Sequence, residues 1–379
     1  MTEIVNEEFE PIATSFVADP DFTKSFTEDS EDLPRDTHSC PALTLPYDIM
    51  AEIFLCILPA YPTPPPIFGR LSPSLLAQIC RKWREIALNT PALWRAFSIS
   101  SYQSKFYPQR SRHLLEISLD RSGSFPLAIK LGERVNHEPG LTEIVQIIAQ
   151  HSARLENIEL SIIAPLDRLP AVELPLPLLR TLRLGDLKLT TLALTPTFVK
   201  APLLRKLDLQ VCSAPFRSIF PWSQLTVLDV GWIMPGDCMD ILSLLVNIVV
   251  CRLNVDYWIR QADESRHVTL PRLETFIFET FSSWQGAPSS LLDTLTLPAL
   301  KRLDIAEILL PRDNPVASLA TFVARSGCDL SELCIVEDSS WRHHQSRLQD
   351  YRDAFPFVAS FIFDGRLDLA ESFLRGSAE

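Results

Sequence analysis

A repeated pattern of apolar residues runs through the chain from residue 155 onward, and it strongly limits the folds that this sequence can adopt. The units have apolar residues at relative positions 0, 3, 5 and 8, except that the last has Asp338 at position 8, and the second-position residues recur every 21 to 30 residues. The eight units are Leu155-Ile158-Leu160-Ile163, Leu179-Leu182-Leu184-Leu187, Leu204-Leu207-Leu209-Cys212, Leu225-Leu228-Val230-Ile233, Val250-Leu253-Val255-Trp258, Leu273-Phe276-Phe278-Phe281, Leu300-Leu303-Ile305-Ile308 and Leu330-Leu333-Ile335-Asp338. This period predicts a solenoid, because one unit cannot bury its apolar face alone and a stack of units makes one continuous core.

Prolines stand at a constant position in several units. Pro177, Pro202, Pro271 and Pro298 each precede the second apolar position by five residues. A proline there can lead the chain into a strand without having to donate a ladder hydrogen bond. We therefore predict that each unit is a short strand followed by a looser return segment, which gives an α/β fold with one parallel sheet. The pattern resembles leucine-rich repeats of an irregular kind, since the usual Asn or Cys after the strand occurs only at Cys212.

The residues between the leucines should point to the opposite face of the predicted sheet, because side chains alternate along a strand. The inner row of that face reads Glu159, Arg183, Asp208, Asp229, Asn254, Ile277, Asp304 and Cys334. The neighbouring row reads Asn157, Thr181, Lys206, Val227, Arg252, Thr275, Arg302 and Glu332. Eight rungs about 4.8 Å apart extend over roughly 35 Å, which suits a protein or peptide as ligand.

We predict that this face binds a target protein. The candidate contacts are Arg183, Asp208, Asp229, Arg252, Asn254 and Asp304 on the strands, and Trp284 in a predicted loop. The alternative is that the charges only solvate the sheet and pair between rungs, as Arg183 and Asp208 could.

A short helical pattern occupies residues 44–97. After Leu45-Pro46, the residues Ile49, Ile53 and Ile57 recur at the spacing of one helix face. The Pro-rich run at 59–66 must be a loop. A second helix is expected to carry Leu75, Ile79, Trp83 and Ile86 on one face, before a short element that ends at Leu93-Trp94. About fifty residues cannot bury this many apolar groups internally, so some of them should face another protein.

In this order, these features resemble the F-box, the module that joins substrate receptors to cullin-type ubiquitin ligases. The resemblance implies that a Skp-type adaptor, and through it the cullin ligase core, is held by Leu45, Pro46, Ile49, Ile53, Ile79, Cys80, Trp83 and Trp94. A helical cap that packs only on the rest of this chain is the alternative.

The chain from about residue 45 to 340 resembles the large F-box families of basidiomycete fungi, with the segments ALNTPALW and SGSFPLAIKL among the shared features. That resemblance implies a non-catalytic receptor subunit of a ubiquitin ligase, which holds an unknown target protein. The alternative is an interaction scaffold whose F-box has drifted and no longer serves a ligase.

Composition argues against other classes of function. The net charge of −12 is unsuited to nucleic acid, and no apolar run approaches the ~20 residues that span a membrane. The eight cysteines form no CxxC pair, and no secretory signal is visible, so we expect reduced thiols and a cytoplasmic or nuclear location. No GxSxG, HExxH or P-loop motif occurs, and His343-His344 lack the spacing of metal ligands. We therefore expect neither enzymatic activity nor a cofactor or metal.

The predicted organisation has five parts. Residues 1–40 hold eleven acidic residues against Lys24 and Arg35, and we expect this segment to be disordered. The helical module at 44–97 follows. A linker and capping segment at 98–150 then leads to the solenoid at 151–340, and a helical cap is expected at 341–379.

Overall fold

A large parallel sheet organises this mixed α/β fold. The computed structural model describes residues 41–100, 108–132, 139–161, 175–185, 198, 200–212, 217–255, 266–280, 291–311, 313–336 and 344–364. In spatial order, the main sheet consists of β1 (Ala96–Ile99), β2 (Leu127–Leu131), β3 (Leu155–Leu160), β4 (Thr181–Leu184), β5 (Lys206–Leu209), β6 (Val227–Ile233), β7 (Val250–Val255), β9 (Thr275–Glu279), β11 (Arg302–Ala306), β12 (Glu332–Val336) and β13 (Ser360–Asp364). Two short strands, β8 (Val268–Thr269) and β10 (Leu295–Thr296), form a separate parallel pair.

Helices lie before the sheet and in several of the connections between its strands. Those in the described residues are α1 (Tyr47–Ile57), α2 (Pro73–Ile79), α3 (Arg81–Leu88), α4 (Pro108–Arg121), α5 (Pro139–Ala149), α6 (Pro235–Leu242), α7 (Pro315–Ser326) and α8 (His344–Ala354). The strands of the main sheet follow one another in chain order, and all their pairings are parallel. The chain therefore returns to the same end of the sheet after each strand and adds the next strand beside the last one, and the predicted solenoid-like α/β fold is confirmed.

The rows of leucines explain why the strands form where the repeat predicts them. Leu182, Leu207 and Leu228 are register partners on β4, β5 and β6, and all three are fully buried. Burying one such side chain stabilises the fold by ~1.5–3 kcal/mol. A shift by one residue would turn the whole row to the other face, so burial also sets the register.

One unit pairs differently from the prediction. Cys251, rather than Leu253, is the register partner of Leu228 on β6 and of Phe276 on β9. Ile248 therefore takes the first position of this unit, and it is buried. The surrounding run VNIVVCRLNV allowed both alignments, because a shift by two residues keeps every strand side chain on the same face.

The sheet extends beyond the eight predicted units at both ends. Strand β2 lies within the range 98–150, β1 straddles the start of that range, and β13 lies within 341–379. The sheet thus continues into the predicted linker and capping segment and into the predicted C-terminal helical cap, where α8 is followed by a sheet strand. Phe361 and Phe363 continue the apolar rows of β12 as register partners of Leu333 and Ile335.

The helical module has its own core, distinct from the core under the sheet. Its buried residues are Met50, Phe54, Leu76, Ile86, Ala87, Leu93 and Trp94. The expected single second helix is instead divided into α2 and α3, because Cys80 between them has extended backbone angles (φ −153°, ψ 170°). The Cys80 Sγ atom accepts a hydrogen bond from the backbone N–H of Trp83 at 3.5 Å and so caps α3.

The Pro-rich insert leads directly onto the edge of the sheet. The backbone N–H of Ser98 on β1 donates to the carbonyl of Pro65 at 2.7 Å, and the N–H of Ile67 donates to the carbonyl of Ser98 at 2.9 Å. The end of the loop thus satisfies part of the outer edge of β1, which would otherwise expose unpaired backbone groups.

None of the helices in the described ranges is both long enough and apolar enough to cross a membrane. The acidic segment 1–40, for which disorder was predicted, lies outside the described residues.

Candidate interaction surfaces

An exposed apolar stripe runs along α1. The exposed fractions of its three isoleucines are 50% for Ile49, 39% for Ile53 and 47% for Ile57. Met50 and Phe54 lie on the adjacent face of the same helix and are buried in the core of the module. The helix is therefore apolar on two faces, and its own chain covers only one of them.

A second exposed stripe lies on and just before α2. Leu71, Leu75 and Ile79 are all exposed at a spacing of four residues, whereas Leu76 between them is buried. The sequence predicts that Leu75, Ile79 and Ile86 share one helix face. In the structure the helix is interrupted at Cys80, and only Ile86 of these three is buried.

These stripes contain most of the exposed large apolar side chains in the structure. Of the eleven such side chains in the described residues, seven lie between positions 47 and 79. Single exposed apolar residues are normal on a soluble protein, but a concentration in one small module is typical of an interaction site. The prediction that this module has more apolar surface than it can bury therefore agrees with the exposure of its residues.

The residues predicted to contact an adaptor fall into three groups. Pro46, Ile49, Ile53 and Ile79 are exposed, and Leu45, Cys80 and Trp83 are half-buried. Trp94 is buried and forms the third group by itself. The exposed residues Ile57, Leu71 and Leu75 were not among the predicted contacts, although the spacing from Ile53 to Ile57 could have indicated the first of them.

Trp94 is a core residue and is not available on the surface of this chain. Its exposed fraction is only 4%, and its indole N–H donates to the carbonyl of Ala87 at 2.8 Å. An indole with a satisfied N–H is well suited to a buried position. Trp83 is less deeply placed, with its ring centroid 4.9 Å from that of Phe54.

The polar face of the sheet carries ion pairs that bridge adjacent rungs. Arg183 on β4 pairs with Asp208 on β5 and with Glu159 on β3, at 2.5 and 3.7 Å respectively. The other pairs on this face are Lys130 with Glu159 at 2.8 Å, Arg252 with Asp229 at 3.8 Å, Arg252 with Glu279 at 3.1 Å, Arg302 with Asp304 at 2.9 Å and Arg302 with Glu332 at 3.4 Å. These pairs link β2 to β3, β3 to β4, β4 to β5, β6 to β7, β7 to β9 and β11 to β12, whereas Arg302 and Asp304 pair within β11. Pairing between rungs, the alternative considered for these charges, therefore occurs over much of the described face.

The changed register of β7 moves two of the candidate contacts. Arg252 lies in the inner row, as register partner of Asp229 and Ile277, and not in the neighbouring row. Asn254 is displaced from the inner row and lies opposite Glu279. Trp284 lies outside the described residues.

The middle of the polar face is buried, which was not expected. Asp229, Asn254, Ile277 and Asp304 are all buried, and so is Glu279. Sequence reasoning missed Glu279, because the predicted rows cover only relative positions 2 and 4 of each unit and Glu279 stands at position 6 of the unit that begins at Leu273. Arg183, in contrast, has an exposed side chain, so the β3–β5 part of the face is the more accessible one.

Burial perturbs the two carboxylates that share Arg252. Burial, aided by the neighbouring Asp208, raises the pKa of Asp229 to about 6, although Arg252 opposes the shift. Burial likewise raises the pKa of Glu279 against the opposing effect of Arg252. In the described part of the face, the Oδ1 atom of Asn254 and the Oε1 atom of Glu279 have no hydrogen-bond partner.

Comparison with family models and with curated proteins identifies no relative of this chain. No family model matches the chain, and a search of the curated proteins finds no match. Within the described residues, no group of three or more His, Cys, Asp or Glu side chains is placed to hold a metal ion.

Proposed function

We propose that this protein is a substrate receptor of a cullin-type ubiquitin ligase, in which the helical module acts as an F-box and the solenoid of leucine-rich type binds the target. The observation that carries the proposal is the exposed apolar surface of residues 47–79 beside a fully packed module core. It adds to the order of motifs in the sequence, which resembles that of F-box proteins.

The stripe on α1 has the character of a surface that a partner covers. Full burial of an exposed isoleucine side chain is worth ~1.5–3 kcal/mol. Ile49, Ile53 and Ile57 are each already about half covered, so a partner that covers the rest would gain roughly half of that value from each of them. Their i, i+4, i+8 spacing presents a continuous ridge that fits an apolar groove in a partner. A Skp-type adaptor would take this ridge, with Ile79 and the half-buried Leu45, Cys80 and Trp83 as further contacts.

The accessible part of the sheet supports a role in holding a target protein. Arg183 has an exposed side chain although it is paired with acids on both neighbouring rungs, and exposed charges of this kind set partner specificity more than affinity. Target ubiquitylation would then follow from proximity alone, because the receptor raises the effective concentration of target lysines near the conjugating enzyme. The chain itself would contribute no catalytic group, and the ligase would act in the cytoplasm or nucleus.

The deciding experiment is co-purification with the adaptor and the cullin. We expect Ile49→Glu combined with Ile53→Glu to abolish capture of both, because two charges would be buried in an apolar contact. Val246→Glu combined with Phe357→Glu is the matched control, since these exposed apolar residues lie outside the module.

Three outcomes are distinguishable. Capture by the wild type and the control, but not by the Ile49/Ile53 variant, supports the proposal. Equal capture by all three chains contradicts the assigned face. Failure of the wild type to capture an adaptor, with a target still bound, would favour the interaction scaffold instead.

A further inference from the structure

The Pro-rich insert between α1 and α2 makes side-chain contacts that reach well beyond the helical module. The hydroxyl of Tyr61 donates a hydrogen bond to the Oε2 atom of Glu156 on β3 at 2.6 Å. The amide of Asn157, the next residue on β3, donates to the same hydroxyl at 3.5 Å. A residue of the insert is thus held by the third rung of the sheet, 95 positions away in the chain.

The ring of Tyr61 makes a contact of its own, in addition to those of its hydroxyl. The guanidinium of Arg95 lies 3.8 Å from the centroid of the ring, a close cation–π contact. Arg95 immediately precedes β1, and its carbonyl accepts a hydrogen bond from the N–H of Ala128 on β2 at 2.9 Å. Burial and the Glu156 carboxylate raise the pKa of Tyr61, so the hydroxyl keeps its proton and remains a donor.

The backbone of the insert continues the same attachment. The hydrogen bonds between Pro65, Ile67 and Ser98 join it to β1, so the insert contacts β1 and β3 directly and β2 through Arg95. Prolines restrict the backbone of the intervening segment and lower the entropy that is lost when it is held in place. A loop that served only to connect two helices would need none of these contacts.

We propose that the Pro-rich insert is a clamp that fixes the helical module to the first three rungs of the sheet, with Tyr61 as its positioning residue. The clamp would hold the adaptor-facing stripe of α1 in a constant orientation relative to the target-facing sheet. This consequence for ubiquitin transfer rests on the proposed function, whereas the attachment itself does not.

Hydrogen exchange of the full chain, read by mass spectrometry, tests the attachment. Tyr61→Phe removes the hydrogen bond to Glu156 and keeps the ring under Arg95. Loss of a hydrogen bond to a charged group should raise the equilibrium constant for local opening of the insert roughly tenfold or more. The exchange rate of peptides that contain the Ile67 and Ser98 amides should therefore rise by about that factor. Exchange in α1 and in β4–β6 should stay unchanged.

Tyr47→Phe is the matched control, because the Tyr47 hydroxyl donates to the carbonyl of Ile86 within the helical module. It should leave exchange at Ile67 and Ser98 as in the wild type. The proposal is overturned if Tyr61→Phe leaves those amides protected, if the control raises their exchange equally, or if exchange rises uniformly over the chain. With adaptor and target in hand, Tyr61→Phe should slow ubiquitin transfer without weakening adaptor capture. If the wild type fails to capture the adaptor, the proposed function is refuted, whereas the conclusion about the attachment, which depends on the exchange result, is unaffected.

Discussion

Replacing Gly185 with alanine should destabilise the fold, because the end of β4 lies against the backbone of the neighbouring rung. A Cβ atom at this position would lie 2.9 Å from Cα of Ser161, 3.2 Å from its carbonyl carbon and 3.3 Å from the carbonyl oxygen of Leu160. The N–H of Gly185 also donates to that oxygen at 2.7 Å. All of the crowded atoms are backbone, so relief requires the two rungs to separate and this hydrogen bond to weaken.

Overpacking of this kind costs ~1–3 kcal/mol, and we expect Gly185→Ala to lower the free energy of unfolding by ~2 kcal/mol, since the shortest contact is with main chain. Gly236→Ala provides the matched comparison. A Cβ atom there, in the first turn of α6, would have no described atom within 4 Å. The same chemical change should therefore stabilise the protein by ~0.4–1 kcal/mol. Urea unfolding followed by circular dichroism measures both, and equal stability of Gly185→Ala and wild type would refute the reasoning.

Three further predictions concern buried or exposed side chains. Trp94→Ala should lower the free energy of unfolding, measured in urea titrations, by ~3–5 kcal/mol. Loss of adaptor capture with an unchanged free energy of unfolding would instead assign Trp94 to the adaptor contact. The pKa of Asp229 is raised from 3.8 to about 6 in the folded state, so its contribution to stability is present below about pH 4 and lost as pH rises through 6. Asp229→Asn should remove this part of the pH dependence of the free energy of unfolding, which is on the order of 3 kcal/mol. If the substitution leaves that pH dependence unchanged, the raised pKa of Asp229 is contradicted. Cys56 is exposed on α1, whereas Cys238 and Cys251 are buried with raised pKa values. A thiol reagent should therefore modify Cys56 well before those two, and bound adaptor should slow this reaction; labelling of Cys56 at the same rate in the complex would argue against the proposed face.

Much of the sheet could be predicted from the sequence because its signal is local and repeated. Residues such as Leu182 and Leu207 occupy the expected rungs, and the polar residues beside them lie on the opposite face. The same signal was present but overlooked at the C-terminal end, where Val358, Phe361 and Phe363 fit positions 0, 3 and 5 and Pro356 precedes the second position by five residues. Strand β13 forms there.

The register of β7 and the helix break at Cys80 could not be predicted from the sequence. The run around Cys251 is apolar at enough positions to fit two registers, and only pairing with both neighbouring strands selects one. The helix break at Cys80, where the backbone is extended, likewise could not be predicted, since neither Gly nor Pro occurs between Ser74 and Leu88. These outcomes depend on neighbouring elements, and spacing along one segment does not contain them.

The amino-acid sequence by itself determined the parallel strands and the apolar rows beneath them, because alternation and period are properties of short segments that burial selects directly. Only the tertiary structure decided which apolar side chains are covered. Ile49 and Trp94 are both apolar members of the helical module, yet the first is exposed and the second is buried under its own chain. Whether a side chain is covered depends on residues distant in the chain, and their positions become defined only when the elements pack together.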